Sequence, residues 1–128
     1  MANEISVTTT LSVSKSGTTA AGSQTKLITL TGTGIFSNTQ SIGASDEIVY
    51  FHPDLVTEGV GFIYIKNLDA TKTVTLKKRD TGVNYPFALL LAGESMVLRT
   101  DEASGTDPDL YAVASSASAD IQVVASGT

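Results

Sequence analysis

The sequence predicts an all-β protein: a single antiparallel β-sandwich or jelly roll of about eight strands, with an extended N-terminal arm. Three observations predict this class. Apolar and polar residues alternate over short stretches such as 73–77, which is typical of half-buried strands. β-Branched and aromatic residues form compact runs such as Phe62–Ile65. Turn residues separate these stretches at intervals of about 8–12 residues, as in sandwiches and barrels.

The N-terminal residues predict a strand with one apolar face. Residues 4–13 alternate strictly, and the apolar members are Ile5, Val7, Leu11 and Val13. Residues 16–25 are small and polar and include two glycines, which predicts a flexible connection. We therefore expect an N-terminal arm strand over 1–15, a flexible connection over 16–25 and a β-sandwich domain over 26–128.

Four further strand predictions come from the middle of the chain. Residues 26–31 and 47–51 are apolar enough to form strands, and the second ends at His52-Pro53 because proline cannot donate to a ladder. Residues 87–91 and 95–99 repeat the strand–turn unit around an Ala-Gly-Glu turn. The Gly32-Thr33-Gly34 sequence resembles a phosphate-binding turn, but no helix pattern follows it, so we interpret it as a plain turn.

The Phe62–Ile65 strand is apolar on both faces. One face packs inside a sandwich, and the other requires a second sheet, the arm or a neighbouring subunit. The alternative is that Tyr64 rims the surface with its hydroxyl in water. Together with the arm and an aromatic edge that includes Tyr85 and Phe87, this gives the candidate contacts with other chains: Ile5, Val7, Leu11, Val13, Phe62, Tyr64, Tyr85 and Phe87.

The C-terminal third allows two interpretations. Residues 101–109 form an acidic loop. Residues 110–124 place apolar side chains at helical spacing, yet they also alternate as two strands around a serine-rich turn. We prefer the strands, because Ser and Asp favour turns over helix interiors.

Composition narrows the classes of function. The net charge is −5, and the basic residues near Lys77 are offset by acidic neighbours, so nucleic-acid binding is disfavoured. No apolar run approaches the roughly 20 residues of a membrane-spanning helix. With a single histidine, His52, and no cysteine, we expect neither an enzyme nor a cofactor or metal site. The acidic loop remains open as a cation ligand, although its spacing matches no EF-hand.

Four sequence segments, in chain order, resemble segments of small virion proteins of tailed bacteriophages. The resemblance is greatest to the capsid decoration, or cement, proteins. The four segments are Met1–Thr10, Phe62–Asp69, Leu91–Glu94 leading to Leu98-Arg99, and Leu110–Ala112. The resemblance implies a β-sandwich or jelly roll that forms a homotrimer at threefold or quasi-threefold positions of an icosahedral head. Its implied partner is the major capsid protein, and its implied location is the capsid surface of the virion, the protein itself being made in the host cytoplasm.

Two functions therefore stand as hypotheses. The first is a structural protein that clamps neighbouring major capsid subunits, with the arm adding a strand to a neighbouring chain. The alternative is a receptor- or glycan-binding module of a phage tail or fibre, which predicts binding to cells rather than to shells.

Overall fold

The computed structural model describes residues 5–29, 34–100 and 108–127. These residues form ten strands and one short helix, so the all-β class is confirmed. The chain divides into two compact units, residues 1–31 and residues 32–128.

The first unit is a long two-stranded hairpin. Strands β1 (Ile5–Lys15) and β2 (Thr18–Ile28) pair antiparallel along their whole lengths, from Ile5 opposite Ile28 to Lys15 opposite Thr18. The two-residue turn between them is Ser16-Gly17, with φ values of 50° and 81°. A type I′ turn requires positive φ at both positions, and its twist matches that of the paired strands.

The hairpin differs from the prediction for this region. A strand in the predicted arm is confirmed, but residues 18–25, expected to be a flexible connection, belong to β2. The small residues of β2 supply no alternating apolar signal of their own. They are held in strand geometry by main-chain pairing with β1 and by cross-strand hydroxyl pairs, such as Thr8 Oγ1 to Thr25 Oγ1 at 3.0 Å.

The second unit contains the remaining strands, which form two four-stranded sheets. The strands are β3 (Ile35–Ile42), β4 (Glu47–Ile48), β5 (Val60–Asn67), β6 (Val74–Asp80), β7 (Val83–Leu90), β8 (Ser95–Arg99), β9 (Leu110–Ala114) and β10 (Ala119–Gly127). The first sheet has the order β3-β10-β5-β8, and the second has the order β4-β9-β6-β7. Every pairing is antiparallel.

The core lies between the inner faces of these two sheets. Alternate residues of the central strands are fully buried, among them Ile63 and Ile65 of β5, Leu76 of β6, and Ile121 and Val123 of β10. Since side chains alternate between the faces of a strand, the intervening residues of each strand face outward. The body is thus a β-sandwich with one shared apolar core.

Three local outcomes follow. The C-terminal residues form strands β9 and β10, which confirms the preference for strands over a helix. Strand β3 extends through a polar stretch that carries little strand signal, and it is held by pairing with β10.

A short helix, α1 (Pro53–Glu58), was not predicted. His52 is its N-cap, accepting the Asp54 N–H on Nδ1 at 3.2 Å, and proline occupies the first turn, where its missing N–H costs nothing.

Asn67, at the end of β5, joins three segments of the body. Its side chain is fully buried, and Nδ2 lies 2.8 Å, 3.2 Å and 3.1 Å from the carbonyl oxygens of Lys72, Leu90 and Leu91. Its Oδ1 accepts the Asp69 N–H at 3.0 Å. The β5–β6 loop and the β7–β8 turn are therefore fixed to each other through one amide.

Candidate interaction surfaces

Strand β7 is an edge of the second sheet. It pairs with β6, and no strand of the described residues pairs with its other side. The segment from Val83 to Leu91, here called the edge segment, exposes five large apolar side chains to solvent by about half each: Val83, Tyr85, Phe87, Leu89 and Leu91. An exposed apolar edge offers unpaired main-chain groups to another strand.

The protection that edge strands usually carry is limited here. No charged residue lies between Asp80 and Glu94, whereas edge strands are commonly guarded by lysine. The two devices present are Pro86, which cannot donate to a ladder, and a bulge where the register with β6 shifts between Leu76 and Lys77. Both lie in the middle of the strand, so the half from Phe87 to Leu90 keeps continuous apolar character.

Sequence reasoning found only part of this surface. Tyr85 and Phe87 were predicted contacts, and both lie on the edge segment. Val83, Leu89 and Leu91 were missed, because an isolated strand pattern does not show which strand will end a sheet. The available signal was the long uncharged run that contains them.

The predicted contacts Phe62 and Tyr64 lie on the outer face of the first sheet, where both are half-buried. Tyr64 is flanked across the strands by Val124 of β10 and Val97 of β8. The Arg99 guanidinium lies 5.2 Å from the centre of the Phe62 ring, a cation–π geometry that covers one ring face. The outer face of the first sheet thus carries a short row of apolar side chains around Tyr64. Arg99 covers part of the neighbouring Phe62 ring.

A cleft of about 380 Å³ opens beside the edge segment, lined by Lys78, Phe87, Leu98, Arg99, Thr100, Pro108 and Leu110. Its two cations already have partners: Lys78 Nζ donates to the Pro108 carbonyl, and Arg99 stacks on Phe62. The apolar lining therefore dominates the cleft.

The hairpin carries the other four predicted contacts. Ile5, Val7, Leu11 and Val13 lie on one face of β1, because they alternate with polar residues along the strand. Leu11 is 70% exposed and Val13 is 55% exposed, while Ile5 and Val7 are half-buried. The opposite face is hydroxylic, with pairs such as Thr10 Oγ1 to Ser23 Oγ at 3.2 Å.

Two carboxylates outside these surfaces, those of Asp46 and Asp69, have structural partners. Asp46 accepts hydrogen bonds from Lys77 Nζ at 2.7 Å and Asn84 Nδ2 at 2.9 Å, and these bonds hold the pKa of its carboxyl below the usual value. The backbone N–H groups of Thr71 and Lys72 likewise lower the pKa of Asp69. These groups therefore organise loops.

Among the described residues, no group of three or more His, Cys, Asp or Glu side chains is placed to hold a metal ion. Most of the predicted acidic loop, residues 101–107, lies outside the described residues. His52 caps α1 and faces Asp54, with Nδ1 to Oδ2 at 3.5 Å. Over the described ranges, no helix is both long and apolar enough to cross a membrane.

Comparison with known proteins gives no relative: no family model, curated protein or solved structure matches this chain.

Proposed function

We propose that this protein is a structural component of a bacteriophage virion that binds the outer surface of the capsid. It acts as a homotrimer at threefold or quasi-threefold positions and stabilises contacts between major capsid subunits. The proposal rests on the sequence resemblance to capsid decoration proteins and on one structural observation, the edge segment of β7.

The edge segment supports the proposal because it suits strand addition. In this mode an extended chain pairs with a free sheet edge: main-chain hydrogen bonds supply the affinity, and alternate side chains supply the specificity. Tyr85, Phe87 and Leu89 present apolar area beside that edge. Three such edges on one trimer bind more tightly together than one edge alone, since linked sites raise the effective concentration of each further contact.

The strand order supports a further part of the proposal, the jelly roll. Consecutive strands of the body lie in opposite sheets, except β6 and β7, which are neighbours in one sheet. Strands β3 and β8 form the edges of one sheet, and β4 and β7 form the edges of the other. We propose that this order is that of a jelly roll, an architecture used by viral capsid and lectin domains. One fold supports many functions, so the functional assignment depends on the binding surface and not on the fold.

The test is co-sedimentation of the purified protein with expanded heads of the phage that encodes it. Heads lacking the protein are incubated with wild-type protein and with Leu89→Lys. We expect saturable binding of the wild type and at least tenfold weaker binding of the variant, because a charge next to the edge opposes strand addition.

The matched control is Ile35→Lys. Ile35 is also exposed, at 77%, and also lies on an edge strand, β3, but of the other sheet. We expect this variant to bind heads like the wild type. An equal loss of head binding in both variants would show a general effect of the added charge. Wild-type protein that binds host cells or glycans, but not heads, would favour the tail-module hypothesis.

A further inference from the structure

The main-chain groups of neighbouring strands show which residues of the edge segment point out of the sheet. In an antiparallel pair, a residue that bonds directly across the ladder directs both its N–H and its C=O to that neighbour, and the next residue directs both away. Ser115 N–H donates to the Thr73 carbonyl, and Arg79 N–H donates to the Asp109 carbonyl, at 3.0 Å each. Since these pairs continue the register of β6 with β9, the odd-numbered residues of β6 bond with β9.

The even-numbered residues of β6 therefore bond with β7. Val74 lies opposite Leu90. Leu76 lies opposite Ala88. The main-chain groups of Leu90 and Ala88 thus point into the sheet, and those of Leu89, between them, point out of it. No strand of the described residues meets them there, so Leu89 offers one donor and one acceptor at the edge.

Leu91, the next position that would point outward, is already bonded within the chain. Its N–H donates to Glu94 Oε2 at 2.8 Å. Its carbonyl oxygen accepts the Glu94 N–H at 3.0 Å and lies 3.1 Å from Asn67 Nδ2. The open part of the edge therefore ends before Leu91, and Glu94 is the residue that ends it.

The bulge limits the edge on the other side of Leu89. Ala88 is the last residue in regular register with β6 before the shift, and Pro86 follows the shift and carries no N–H. A regular ladder cannot continue through these positions. In this stretch of described residues, Leu89 is thus the one position of regular strand geometry whose two main-chain groups face outward.

We propose that a capsid subunit adds one short extended segment to the edge of β7, and that this segment makes its main-chain hydrogen bonds at Leu89. The inference rests on the proposed function and names the register of that contact. Addition in either strand direction uses both main-chain groups of Leu89. A segment centred there extends over about five residues, or roughly 17 Å.

The side chains around this position define the chemistry of the added segment. Leu89 and Leu91 stand at alternate positions and are 56% and 49% exposed. No charged residue lies between Asp80 and Glu94. A charged side chain placed against these leucines would lose water without gaining a partner of opposite charge, which is costly. The added segment is therefore uncharged and carries an apolar side chain opposite Leu89.

Amide hydrogen exchange of the free full-length protein, followed by NMR, tests the map of main-chain groups. Leu89 and Leu90 are neighbours of the same residue type, and we expect the Leu89 N–H to exchange at least tenfold faster. The Leu91 N–H should exchange slowly, and Glu94→Ala should speed it at least tenfold. Glu94→Gln should have a smaller effect, because its amide oxygen can accept the same bond. Equally slow exchange at Leu89 and Leu90 would overturn the inference.

Exchange of protein bound to expanded heads tests the contact itself. Bound protein is exchanged, released and read by NMR in a solvent that stops exchange. We expect exchange at Leu89 to slow at least tenfold on binding. Val97 is the matched position: Thr100 N–H donates to the Gly61 carbonyl at 2.8 Å, so the even-numbered residues of β8 bond with β5 and Val97 points away from it. Its exchange should be unchanged.

Two proline variants remove the outward N–H at these positions. Proline is tolerated on an edge strand where its missing N–H would face solvent, and circular dichroism verifies that both variants fold. In co-sedimentation, Leu89→Pro should bind heads at least tenfold more weakly than the wild type, whereas Val97→Pro should bind like the wild type. Equal binding by the two variants would overturn the inference.

The head-binding samples separate this inference from the proposed function. Wild-type protein that binds heads without slower exchange at Leu89 would overturn the inference alone. Wild-type protein that binds no heads, although Leu89 exchanges rapidly, would overturn the capsid function and the capsid segment with it.

Discussion

Asn67 offers the sharpest test of what holds the body together. Its amide faces three carbonyl oxygens and accepts one backbone N–H, and the side chain is fully buried. Replacing it with leucine, a side chain of similar size, removes these bonds without introducing charge. We expect a loss of about 3 kcal/mol in the free energy of unfolding, from about three bonds at roughly 1 kcal/mol each.

Asn67→Asp should cost more and should depend on pH. At pH 7 it places a carboxylate against carbonyl oxygens, and an unpaired buried charge adds to the lost bonds, for a total of about 4–5 kcal/mol. Burial raises the pKa of the introduced carboxyl in the folded state. The part of the penalty that comes from the charge is therefore absent below the unfolded-state pKa of about 3.9 and grows as the pH rises toward the folded-state pKa, while the cost of the lost hydrogen bonds remains at every pH.

The assay is urea unfolding followed by circular dichroism at pH 4 and pH 7, because the chain has no tryptophan. Asn38→Asp, at an exposed position of β3, serves as the control and should cost less than about 0.5 kcal/mol. If Asn67→Asp cost no more than Asn67→Leu at pH 7, or had the same cost at both pH values, the reasoning would be refuted.

Three further predictions concern the body. Thr81→Asn should raise the free energy of unfolding by about 0.5–1 kcal/mol, measured by urea unfolding, because Thr81 has φ 47° in a two-residue turn that favours asparagine; a loss would contradict this account of the turn. Asp46→Asn should remove less than about 1 kcal/mol at pH 7. This difference should fade as the pH drops below about 4, since the lowered pKa of Asp46 means that its bond to Lys77 stabilises the fold only while the carboxyl is ionised; a difference as large at pH 2.5 as at pH 7 would argue against it. Leu76→Ala should cost about 3 kcal/mol in thermal or urea unfolding, whereas Leu68→Ala, at a position 44% exposed, should cost less than about 1 kcal/mol; similar costs would place the core elsewhere.

The sequence predicted the body best where a strand has one buried face. The alternation around Leu76, and the β-branched run containing Ile63 and Ile65, correspond to buried positions of β6 and β5. In such strands the period of the side chains and the burial of one face give the same signal. The all-β class followed from repeated instances of this agreement.

Prediction failed where pairing alone holds a strand. Residues 18–25 and most of β3 are polar, and their strand geometry comes from ladders with β1 and β10. The Ser16-Gly17 dipeptide was the local signal for the first hairpin, but its significance depends on the register of strands on both sides. The candidate contacts on β7 were incomplete for a related reason, since the order of strands in a sheet is a long-range property.

The two units should also differ in the time they take to form. Every pairing in the hairpin closes within 24 positions of the chain, through a two-residue turn, and hairpins form in about 1–10 μs. The body joins distant strands such as β3 and β10, and such non-local topologies fold in milliseconds to seconds. The hairpin can therefore form and open many times before the strands of the body have all paired.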